Sequence, residues 1–205
     1  MVGRVVLFVD YQNMYRGVRE VFHRPSDPPR AGQIDPLQLG QLIVEKSPFP
    51  RDLAQIRVYR GRPDATKDPR TYAANLRQSV AQELSGQGKV TVIARPLRYP
   101  PDWPVRAAKE KGIDVALAVD FVMMAVRHEY DVGVIMSTDT DLVPALEAVV
   151  SLGGNPRCEV VAWTNPRAGH SRRIGVRGAR VWCHWLNAQD YEAVTDLTDY
   201  NVAPA

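Results

Sequence analysis

Three aspartates stand where a folded α/β chain could bring them together. Asp10 ends the apolar run Val5-Val6-Leu7-Phe8-Val9, Asp139 follows Val134-Ile135-Met136 across the turn Ser137-Thr138, and Asp114 opens an apolar helical stretch after Lys111-Gly112-Ile113. Carboxylates crowded into a partly dry cleft repel one another, at a cost of several kcal/mol, unless protons or cations neutralise them. With oxygen donors and no histidine in the set, the matching neutraliser is a hard divalent cation, Mg²⁺ or Mn²⁺, which keeps several waters and shares phosphate ligands; zinc fits poorly. Asp141 lies two residues beyond Asp139 and is expected as a further ligand, and Asn13, three residues beyond Asp10, either caps the first helix or positions a phosphate or water.

Each aspartate also has a structural alternative, because Asp is a preferred helix cap and turn former at strand-to-helix junctions. The joint placement, two after strands and one at a helix start, favours chemistry. Asp120, within VALAVDFVMMAV, is six residues on from Asp114. At roughly 100° per residue it is turned about 120° from that side chain, so it is expected to be structural or to support the site from behind.

The elements that must position these residues follow from periodicity. Short β-type runs alternate with amphipathic stretches, the pattern of a parallel sheet covered on both faces. Strands are expected at 4–9, 54–59, 89–94, 131–136 and 157–162, with a sixth near 180–185, and helices at 13–22, 36–46, 69–84, 113–128 and 140–152. This is a three-layer α/β/α architecture with a central, mainly parallel sheet of five or six strands. In such sheets ligands bind outside the carboxyl ends of the strands, where Asp10 and Asp139 fall. The proline-rich stretches 24–33 and 96–108 read as loops, and 201–205 as a frayed tail.

The chain has 205 residues, 45% hydrophobic and 24% charged, enough for one sizeable core. No signal-type segment or membrane-length apolar run is present, and the two cysteines, Cys158 and Cys183, are too few for a disulfide framework; a soluble cytoplasmic protein is expected. The four histidines show no ligand spacing. Net charge is only +3, yet between Glu159 and Asp190 there is no acidic residue while Arg167, Arg172, Arg173, Arg177 and Arg180 accumulate. That field favours polyanions without naming one.

The segments VVLFVDYQNMY (5–15), YRGRP (59–63), KGIDVALAVDF (111–121) and VGVIMSTDTDLVPAL (132–146), in this order, resemble the NYN domain family of PIN-like ribonucleases. The chain departs from the family pattern at Thr138, where glycine is commoner, and at Leu142, where an aromatic residue is. Neither change removes a ligand. The resemblance implies metal-binding acids at Asp10, Asp114 and Asp139, with Asn13 and Asp141 assisting. The matching segments span most of 4–163, so the nuclease-like domain is expected at 1–163, leaving 164–205 as a basic loop and a C-terminal strand and helix packed on the same domain.

The expected reaction is hydrolysis of RNA phosphodiester bonds, the RNA single-stranded or structured, leaving a 3′ hydroxyl and a 5′ phosphate. Arg60, Arg62, Lys109, Lys111, Ser137, Arg172 and Arg173 are expected, with Asn13, to contact the substrate. The alternative is an RNA- or protein-binding regulatory module on the same fold without turnover. A phosphatase of the haloacid dehalogenase type would need a second Asp where Gln12 stands. No membrane partner is expected, and a homo-oligomer is compatible with the sequence.

Overall fold

A computed structural model describes residues 2–154 and 157–202. Six parallel strands form one sheet in the order β3-β2-β1-β4-β5-β6, namely β1 (Gly3–Asp10), β2 (Arg51–Arg62), β3 (Val90–Pro96), β4 (Val132–Met136), β5 (Arg157–Trp163) and β6 (Trp182–Leu186). The helices are α1 (Tyr11–Phe22), α2 (Pro36–Glu45), α3 (Pro69–Ser85), α4 (Ile113–Val126), α5 (Val143–Leu152) and α6 (Ala188–Val194).

Alternation along β1 divides the core. Val5, Leu7 and Val9 pack with α1, α2 and α6 on one face, while Val6 and Phe8 pack with α4 and α5 on the other. Full burial of each such side chain contributes about 1.5–3 kcal/mol, so the two-sided central strand anchors both layers. The chain builds β1, β2 and β3 outward in one direction, then returns through α4 to β4 on the opposite side of β1. Right-handed crossovers therefore put α4 on the other face. Strand order reverses between β1 and β4, which leaves a crevice at their carboxyl ends.

The boundaries depart from expectation at informative places. Helix α1 begins at Tyr11 because Asp10, not Asn13, is its cap: the Asp10 side chain accepts from the Asn13 N–H. The segment 140–152 is split, with a 3-10 turn at Thr140–Leu142 before α5, whose early Pro144 is tolerated. Helix α4 stops at Val126 and His128 takes a left-handed φ of 55°. The loop 24–33 contains a short 3-10 turn, Pro29–Gly32. The supposed tail is ordered further than expected: the Arg77 side chain donates to Tyr200 O at 2.8 Å, and Asn201 N to Asp199 Oδ1 at 3.0 Å. Residues 203–205 lie outside the described residues.

Beyond residue 163, β6 extends the sheet alongside β5, and α6 carries Tyr191 and Val194 into the core shared with α1 and α2. Tyr191 stacks on Phe22 and meets Trp163 edge-on, so it packs, whereas Trp182 and Trp185 remain 41% and 37% exposed.

Candidate active site

Parallel pairing puts Asp10 beside Tyr59 of β2 and aligns Val9 with Met136, so Asp10 and Ser137 emerge side by side at the crevice. Ser137, itself buried, donates from Oγ to Asp10 Oδ2 at 3.1 Å and accepts the Asp139 N–H at 3.1 Å. Asn13 Oδ1 accepts from the N–H of Thr138 at 2.9 Å and from its hydroxyl at 3.2 Å, tying α1 to the turn after β4. Asp139 accepts the Asp141 N–H at 3.0 Å. Asp10 and Asp139 are thus caps as well as candidate ligands. A carboxylate has about four lone-pair sites, so capping leaves room for a cation.

The third aspartate arrives through a glycine. Gly112, at φ 73°, is the N-cap of α4 and turns the incoming chain so that Asp114 lies in the helix's first turn. A left-handed residue there suits glycine, and the helix dipole favours the carboxylate.

Asp10, Asp114 and Asp139 line one cleft of about 220 Å³, together with Asn13, Gln12, Arg16 and a fourth acid, Glu110. Glu110 Oε1 accepts the Gly61 N–H at 2.6 Å. A Cβ at Gly61 would come within 2.8 Å of that oxygen, so the close approach needs glycine. With its amide oriented to suit both neighbours, Gln12 donates to Glu110 Oε2 at 2.7 Å and accepts from Arg16 at 3.1 Å.

The crowding has an electrostatic signature. Burial pushes the Asp10 carboxyl from 3.8 up to about 6, with Glu110 and Asp139 adding to the rise and the Asn13 and Ser137 hydrogen bonds opposing it. Glu110 is raised too, by burial first and with Asp114 contributing, against the Gly61 hydrogen bond and Arg16. Among the described residues no three His, Cys, Asp or Glu side chains form a ready-made metal cage. The donors instead suit a cation held through a few carboxylates and several waters, the habit of Mg²⁺.

Several expected contacts lie elsewhere. The Asp141 side chain is exposed and does not line the cleft; its N–H orients Asp139, and Glu110 takes the fourth position. Lys109 and Lys111 are exposed and do not line the cleft, whereas the residue between them does. Arg60 is buried, its guanidinium 4.2 Å from the Tyr11 ring centre, and Arg62 is half-buried with Nε unpartnered. Burial lowers the Arg60 pKa. Neither arginine lines the acid cleft. Arg172 joins His170, Ser137 and Asn13 around an adjoining crevice, while Arg173 donates to Val181 O at 3.0 Å. Asp120 accepts from Arg57 at 2.7 Å and from the Tyr59 hydroxyl at 2.8 Å, a brace between α4 and β2 away from the cleft.

The model of the NYN domain matches residues 4–171. The chain belongs to the NYN domain family. This is a PIN-like nuclease family, which supports a ribonuclease role in general terms. The match runs eight residues past the boundary expected at 163 and ends within the basic loop. No curated protein matches. Among solved structures, the chain is similar to a protein of unknown function from Vibrio parahaemolyticus, at 19% identity and a TM-score of 0.49, covering 81% of this chain and 83% of that one. No helix among the described residues of this NYN protein is long and apolar enough to cross a membrane.

Proposed function

We propose that this NYN domain is a divalent-metal-dependent ribonuclease, with Asp10, Glu110, Asp114 and Asp139 holding Mg²⁺ or Mn²⁺. The observation that carries the reading is their convergence on one cleft at the point where strand order reverses. Bound there, a divalent cation supplies a lowered water pKa and positive charge for the departing oxygen. The chain's own residues do the positioning. Ser137 and Asn13 fix the carboxylates and the turn that carries Asp139, while Arg16 at the cleft and Arg172 beside it offer charge to RNA phosphates, which orient the strand without reading its sequence. Water attack in line with the 3′ oxygen leaves a 3′ hydroxyl and a 5′ phosphate. We place this activity in the cytoplasm.

The test is cleavage of single-stranded and structured RNA by the purified protein with Mg²⁺ or Mn²⁺, against chelator. Asp139→Asn is expected to lower turnover at least about a hundredfold, the loss that removal of one preorganised electrostatic group typically brings. Equal cleavage by that variant rejects the site. A second reading, a binding module without turnover, draws on the lack of a ready-made cage among the described residues. RNA binding that persists in chelator, with no cleavage under any divalent metal, would select it.

A further inference from the structure

Next to the acid cleft lies a larger cavity, about 370 Å³, that shares Gln12 and Glu110 with it as a common wall. A nucleoside fits comfortably in a space of this order. Tyr11, Tyr15 and Tyr200 are in its lining: Tyr11 is buried under the Arg60 guanidinium and near-parallel to Tyr15, 16° apart with ring centres at 6.4 Å, while Tyr15 and Tyr200 are half-buried. Such rings offer a base a flat apolar surface whatever its identity.

Arg60 also lines this cavity, its guanidinium over the Tyr11 ring but with no carboxylate hydrogen-bonded to it among the described residues. It is 6% exposed, and only Nη2 has a partner, the neutral Gln78 Oε1 at 2.9 Å. Nε and Nη1 are buried without an acceptor among the described residues. A buried charge with no ion pair is costly, and it draws an anionic, acceptor-rich visitor. The outer wall comes from Thr198–Asn201, beyond the reach of the family match at 171. Gln33 Nε2 donating to Thr198 O at 2.9 Å and Arg77 to Tyr200 O at 2.8 Å hold that wall in place.

We propose that this cavity is a nucleotide subsite, built jointly by the NYN core and the C-terminal segment, which takes the base and ribose of the RNA residue adjoining the phosphodiester in the acid cleft. Its adjoining an RNA-cutting centre rests on the nuclease reading, but its nucleotide binding does not. The Arg60 charge lies behind Tyr11 and favours the anionic strand, and the shared wall of Gln12 and Glu110 sets the subsite one residue from the acids.

The experiment measures binding in chelator, with the full chain, of the four ribonucleoside 5′-monophosphates, their uncharged nucleosides and inorganic phosphate, by ligand-observed NMR. Thr198→Trp fills the cavity from an exposed position that leaves the core untouched, and Arg60→Met removes the charge at similar length. The expected result is that nucleotides bind, nucleosides compete, inorganic phosphate alone does not displace them, and each variant weakens binding about tenfold, the scale of one lost base-stacking contact. Thr198→Trp should keep the wild-type melting temperature and raise KM for RNA with kcat within about twofold, as loss of binding away from the reacting atoms does. Wild-type nucleotide affinity in Thr198→Trp, equal displacement by inorganic phosphate, or no nucleotide binding at all would overturn the proposal. RNA cleavage with an unaltered Thr198→Trp sinks the subsite and spares the nuclease; nucleotide binding without any cleavage does the reverse.

Discussion

The Ser137 hydroxyl donates to Asp10 Oδ2 at 3.1 Å across 127 positions of sequence. Through it the last residue of β1 and the turn after β4 behave as one unit, because the same oxygen accepts the Asp139 N–H. Ser137→Ala should leave the buried Asp10 carboxylate and the half-buried Asp139 N–H without this partner, costing about 1–3 kcal/mol of stability and displacing Asp139. Thermal melts and single-turnover cleavage would check it; unchanged turnover would show that the bridge does not position Asp139.

The Asp10 carboxyl, raised from 3.8 to about 6, has a definite sign in stability. A carboxyl whose folded pKa lies above its unfolded value weakens the fold when ionised, so its penalty is complete above pH 6, shrinks as pH falls, and vanishes below 3.8. In the absence of metal, Asp10→Asn should be more stable than wild type by about 2–3 kcal/mol at pH 8, with the gap closing toward pH 4. Mg²⁺ should narrow the gap at pH 8 by stabilising wild type more than the variant. Denaturation midpoints across pH, with and without metal, provide the measurement.

Glu110→Gln keeps an acceptor for the Gly61 N–H while removing one of the charges that raise Asp10. The Asp10 pKa, followed by carboxyl carbon NMR, should fall toward its ordinary value, and Mg²⁺ affinity should drop about tenfold or more, since each lost anionic ligand weakens a hard-cation site. An unmoved Asp10 titration would place Glu110 outside the cluster's electrostatics.

Asp120 lies close to Asp114 in sequence, yet it braces Arg57 and Tyr59. Its side chain is about one-third exposed. Asp120→Asn should cost no more than about 1 kcal/mol, as partly exposed pairs do, and leave cleavage within about twofold of wild type. A loss comparable with Asp139→Asn would mean that the cleft extends along α4.

A buried group far from the cleft offers a contrast. Glu159 meets Arg51 at 2.5 Å and His184 at 2.8 Å, all three nearly excluded from solvent. Glu159→Ala strips both partners of their acceptor and should destabilise by about 3–5 kcal/mol. Metal affinity of the folded fraction should stay unchanged; calorimetry and metal titration separate the two.

Strand positions and the three aspartates were readable because each follows a local rule: alternation or continuous apolar runs for buried strands, and a polar residue at the carboxyl edge. Glu110 escaped because it sits just past the proline-rich stretch 96–108, between that loop and the helix start, in no periodic segment. Its placement depends on an antiparallel bridge between Arg98 and Lys109, which fixes the end of the loop. Extended backbone there sends successive side chains to opposite sides, consistent with Lys109 and Lys111 in solvent and Glu110 in the cleft. The Lys-Glu-Lys alternation before Gly112 was the available signal. The burial of Arg60 was hidden for a related reason: its position just after an apolar strand suggested an open edge, whereas α3 covers it through Gln78. Asp141 was expected to contribute a carboxylate and contributes a main-chain N–H, a distinction that residue type cannot reveal.

The reversal of strand order has a kinetic corollary. Asp10 belongs to the half of the sheet synthesised first, Ser137 and Asp139 to the half that follows, and the two halves pair strand to strand along the β1–β4 seam. A nascent or partly unfolded chain that has not zipped this seam carries separated fragments of the cleft. Competence to cut should therefore switch on with completion of the central pairing, and denaturant should abolish cleavage and β1–β4 amide protection at the same concentration.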